Sequence, residues 1–83
     1  MLVKDVEVLF NNMYDFDHRV IADFYDENDV YLGQIDRNCG DGFIWISPKL
    51  QLLWKNKVKL FRTYTINDTT TFTFIVLKGD EEQ

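Results

Sequence analysis

Apolar residues in the first thirteen positions fall at Leu2, Val3, Val6, Leu9, Phe10 and Met13, a three- and four-residue spacing that gathers them on one side of a helix. Lys4, Asp5, Glu7, Asn11 and Asn12 then face water, with Val8 an isolated apolar residue among them. Asp5 and Glu7 lie in the early turns, where the positive end of the helix dipole favours them, and the asparagine pair supplies a stop because asparagine tolerates left-handed geometry. From residue 20 the period drops to two. Val20, Ala22 and Phe24 alternate with Ile21, Asp23 and Tyr25; Val30, Leu32 and Gln34 alternate with Tyr31, Gly33 and Ile35. Asp26, Glu27, Asn28 and Asp29 separate the two runs, so residues 20–35 predict a β-hairpin with an acidic tip.

Residues 57–66 and 70–77, rich in β-branched and aromatic side chains and joined by Asn67, Asp68 and Thr69, predict a second hairpin. Its core faces read as Val58, Leu60, Phe72, Phe74 and Val76, and strict alternation keeps Arg62 and Tyr64 on the side of Val58 and Leu60. Between the hairpins, Arg37, Asn38, Cys39, Gly40, Asp41 and Gly42 predict a loop, and Phe43–Ile46 a short, well-buried strand. Ser47 and Pro48 end that strand. Pro48 opens a helical turn through Leu50, Leu52 and Leu53, or else Leu50–Trp54 continues as an irregular strand, and the pattern leaves both open. Residues 14–19 form a connector with Phe16 turned inward and Asp15, Asp17 and His18 in water. The fold class is therefore α+β: one N-terminal helix packed on an antiparallel sheet of four to five strands, a single domain 1–83 with a frayed acidic tail at 79–83.

A chain of 83 residues buries only about 60 to 65% of the surface its unfolded form exposes, so its stability rests on large side chains. Aromatic residues make up 16% of the chain, enough to supply them. Cys39 is the one cysteine, which excludes a disulfide framework and fits a reducing cytoplasm. Neither a secretory segment nor a membrane span is legible. The net charge of −5 is unevenly spread: residues 1–41 carry ten acidic groups against three basic ones, and residues 42–78 carry six basic groups against one acidic. Either the two halves neutralise one another across the sheet, or one sign dominates an open face and selects a partner of the other sign.

Catalytic chemistry finds little support. His18 is the only histidine, Ser47 the only serine, and Cys39 stands apart from both, so no nucleophile has a general base nearby in sequence. The protein is expected to be non-enzymatic, with no cofactor. Asp15, Asp17, His18 and Cys39 are of metal-ligand type and lie in loops, yet no paired cysteines or histidines give them a zinc spacing. Trp54, Lys55, Lys57 and Lys59 offer lysines for phosphates beside a ring for bases, a recipe for single-stranded nucleic-acid binding. Asp23, Asp26, Glu27 and Asp29 around Tyr31 offer the complementary chemistry, carboxylates about an aromatic anchor suited to a basic, nucleic-acid-handling protein surface.

A short amphipathic helix (Leu2 to Met13), a first hairpin (Arg19 to Ile35) and a closing hairpin (Lys57 to Leu77) resemble, in layout, the small acidic accessory proteins of bacterial prophages and mobile elements. Among these are anti-CRISPR inhibitors. The resemblance implies a cytoplasmic phage protein in a bacterial host that binds the basic groove of a type II RNA-guided effector nuclease and blocks DNA loading or cleavage. The binding residues so implied are Asp23, Asp26, Glu27, Asp29 and Tyr31; no motif carries over a residue role directly.

Overall fold

The computed structural model describes residues 1–12, 18–38, 40 and 43–78. They form α1 (Val3–Asn11), β1 (Arg19–Tyr25), β2 (Tyr31–Arg37), β3 (Ile44–Ile46), a 3-10 helix at Pro48–Leu53, β4 (Val58–Ile66) and β5 (Thr69–Val76). Met13, Asp15, Phe16, Asp17, Cys39 and the 79–83 tail, each given a role above, lie outside the described residues.

All five strands join one sheet in the order β3-β2-β1-β5-β4. Both predicted hairpins form, but they meet through β1 and β5, which run parallel, so the sheet is mixed and not antiparallel throughout. Side-chain alternation has the same period in either direction, so the hydrophobic pattern carries no strand polarity. Polarity is set by the crossover through β3 and the 3-10 helix, which brings β5 alongside β1.

One face of the sheet holds the core. Val3, Val6 and Phe10 of α1 are buried against Val20, Ala22 and Phe24 of β1, Ile35 of β2, and Phe74 and Val76 of β5. The rings of Phe24 and Phe74 stack with centroids 5.4 Å apart, and Phe10 lies 6.1 Å from Phe72. The buried stripe of α1 is narrower than the spacing predicted, since Leu9 is half exposed. At the N-terminus of the helix the Asp5 carboxylate accepts the Leu2 N–H at 2.8 Å. The Val3 and Lys4 N–H groups donate to the carbonyls of Asn56 and Trp54, each at 3.0 Å. Donors that a helix start leaves unpaired are thus spent on fixing α1 to the segment before β4. At the other end Asn12 keeps a negative φ of −98°, and the stop is made by its side-chain amide donating to the Val8 carbonyl at 3.0 Å.

Pro48 does open a helix, of the 3-10 type, and its Leu50 is fully buried on the same face as α1. The close approach depends on Gly33: a Cβ there would lie 2.8 Å from the Ser47 Cβ, and its φ is +144°. Ser47 accepts the Gln34 N–H on Oγ at 3.0 Å, and its own N–H donates to the Gln34 carbonyl at 3.0 Å.

Three burial expectations need correction. β3 is an edge strand paired only with β2, so Phe43 and Trp45 are largely exposed where a well-buried strand was predicted. Arg37 belongs to β2 instead of the following loop and is buried opposite Val20. Leu60 is 52% exposed, because β4 forms the other edge and only Val58 at its start is buried.

Candidate functional site

The sheet face opposite α1 and the 3-10 helix carries no helix among the described residues. Pairing register orders its side chains in three rows, since directly opposed residues share a face. Trp45, Asp36, Ile21, Thr71 and Tyr64 make the first, and Gln34, Asp23, Thr73 and Arg62 the second. Tyr31, Tyr25, Ile75 and Lys59 make the third. Thr71 and Thr73 of β5, between β1 and β4, are buried beneath the larger side chains on either side.

Arg62 and Tyr64 reach this face through a bulge. Pairing runs from Leu60 opposite Phe74 to Arg62 opposite Thr73, leaving Phe61 as the extra residue. One unpaired residue reverses the alternation beyond it, so Arg62 and Tyr64 lie opposite to the side that unbroken alternation assigns. The Arg62 guanidinium sits over the Tyr64 ring, 5.4 Å from its centroid. The result is a shallow pocket of about 190 Å³ with Asp23, Tyr25 and Asp29 on one wall and Phe61, Arg62 and Tyr64 on the other. Thr73 and Ile75 of β5 line it between them.

The acid wall is built by the first hairpin. Asp36 is engaged by Arg19, which donates from Nε at 3.0 Å and from a terminal nitrogen at 2.5 Å. Asp23 has instead the Tyr31 hydroxyl, which donates over a long 3.5 Å. Partial burial pushes the Asp23 carboxyl above its ordinary range; the Tyr31 hydrogen bond opposes this, and the charge of Asp36 adds to it. Tyr31 is pushed up too, by burial first and then by the charge of Asp23, so its hydroxyl stays a donor at neutral pH. The Tyr25 and Tyr31 rings meet edge-on at 5.3 Å.

The acidic tip does not form the single patch expected of it. Asp26 turns inward and accepts the N–H groups of Asn28 and Val30 at 2.8 and 2.9 Å, closing a turn in which Asp29 takes a positive φ of 67°. Glu27 accepts the Lys78 N–H at 3.2 Å. Asp26 and Glu27 line a separate groove with Leu32, Leu53 and Lys78, while Asp29 turns to the open face. Of the five candidate residues, Asp23 and Asp29 share the pocket, with Tyr31 bonded to Asp23. Phe61 and Tyr64 were expected only as rings near the lysines, and neither they nor Arg62 were candidates for the acidic face, because their placement there depends on the bulge.

Trp54 and the three lysines are not gathered on one surface. Lys55, Lys57 and Lys59 are exposed, with Lys59 in an open-face row, but Trp54 is half buried and packs against the core on the helix side. Asp15, Asp17 and Cys39 lie outside the described residues, His18 is half buried, and no group of three or more His, Cys, Asp or Glu that could hold a metal occurs among the described residues. No described helix is long and apolar enough to cross a membrane. No protein-family model, curated protein or solved structure matches the chain.

Proposed function

We propose that this protein is a non-enzymatic binding module whose open sheet face docks on a basic surface of a protein that handles nucleic acid, inhibiting it. The observation that carries the reading is the pairing, on a face no described helix covers, of carboxylates with aromatics: Asp23 and Asp29 beside the exposed Tyr31 and Tyr64 and the half-buried Tyr25. Aromatic anchors ringed by charge are what protein recognition uses, and a basic groove selects acidic partners by the same electrostatics that attract phosphates. The resemblance in layout to phage-borne inhibitors, read from the sequence alone, makes an RNA-guided effector nuclease the first partner to test, as an anti-CRISPR target in the bacterial cytoplasm.

The test is capture of purified effector ribonucleoproteins by the tagged protein, with cleavage of target DNA followed in the same tubes and bare single-stranded DNA and RNA run in parallel. Capture with loss of cleavage supports the reading. Binding to bare nucleic acid, weakened by added salt and by removal of Lys55, Lys57 and Lys59, contradicts it and moves the function to the lysines.

A further inference from the structure

We infer that the pocket between the first hairpin and the β4 bulge receives one lysine or arginine side chain of the partner, with Arg62 as a built-in competitor for the same place. The inference rests on the binding reading above and adds the chemistry of its central contact. Asp23 and Asp29 line one wall, and among the described residues neither has a cation within ion-pair distance; the nearby Arg19 is spent on Asp36. Tyr25, Phe61 and Tyr64 supply the rings of its lining. Rings beside carboxylates are the chemistry that holds an ammonium or guanidinium group, the rings through their negative faces and the carboxylates through charge.

Arg62 shows that this wall accepts such a group, for its guanidinium already lies on Tyr64. It also sits in the pocket itself, where its like charge opposes an incoming cation. Asp23 and Arg62 therefore have opposite effects on one binding event; general attraction between an acidic protein and a basic peptide gives the same signs, so the pocket is marked by effects larger than those of the same charge changes elsewhere.

The probes are short polylysine and polyarginine peptides, titrated by calorimetry and followed in amide NMR spectra of the whole chain. Asp23→Asn is expected to weaken binding about tenfold and Arg62→Gln to tighten it about threefold. Asp68→Asn and Lys49→Gln, which make the same charge changes elsewhere on exposed positions, are expected to change affinity less than twofold. Wild-type shifts should concentrate at Asp23, Tyr25, Tyr64 and Thr73. Equal effects of Asp23→Asn and Asp68→Asn, shifts centred on Asp26 and Glu27, or no peptide binding by the wild type would each overturn the pocket. If effectors are still captured in any of these cases, the binding reading survives without it; if capture fails as well, both fall.

Discussion

Asp23 and Arg62 flank Thr73 in one row across three strands, yet the guanidinium lies on Tyr64 and the carboxylate keeps only a long bond from Tyr31. Two opposite charges that line one pocket without pairing with each other leave that pocket open to a ligand. The cost falls on Asp23, whose carboxyl titrates above its ordinary value near 3.8.

Asp23→Asn should therefore raise the melting temperature at neutral pH while weakening partner binding. A carboxyl with a raised folded-state pKa favours folding only while protonated. That contribution is complete below its unfolded value and is lost as pH rises through the folded one. Melting curves of the two chains should converge at about pH 3, where both states carry the proton. A lower melting temperature for the variant at neutral pH would show that the Tyr31 contact outweighs desolvation.

Asp26→Ala should destabilise the fold by about 1–2 kcal/mol, since it leaves the Asn28 and Val30 N–H groups without their acceptor. Glu27→Gln keeps an acceptor for Lys78 and should stay within about 0.5 kcal/mol of the parent. Urea denaturation of both variants measures the difference.

Gly33→Ala should cost about 2 kcal/mol or more, because the new Cβ meets Ser47 and φ lies where side chains are strained. The same denaturation series reads it, and an unchanged midpoint would mean that β2 and the 3-10 helix separate easily.

Trp54→Ala should lower stability by about 2 kcal/mol through lost packing against the core and leave single-stranded DNA binding at the level of the parent. A fall in DNA affinity with full stability would instead make Trp54 a base-stacking residue.

Periodicity made the helix and both hairpins legible because each has one buried side: Val3, Val6 and Phe10 at helical spacing, and Val20, Ala22 and Phe24 at every second position. The parallel joint between β1 and β5 was not legible, since alternation looks alike in both directions. Nor was the β4 side of the pocket: Phe61 as a bulge residue differs in no local property from Phe61 as an ordinary strand residue, and only pairing with β5 fixes it. Charge spacing identified the acidic hairpin correctly as a surface feature. It could not separate Asp26, held by its own turn, from Asp23 and Asp29, which line the open face.

The claim that matters most is that the open face is the working surface. It is tested by comparing effector capture by the double variant Asp23→Asn with Tyr64→Ala against capture by Val8→Ala with Leu52→Ala, which alters exposed apolar residues of α1 and the 3-10 helix. The first pair is expected to lose capture by about tenfold or more while remaining folded, and the second pair to capture as the parent does. Full capture by the first pair and loss by the second would place the interface on the helix side, away from the open face.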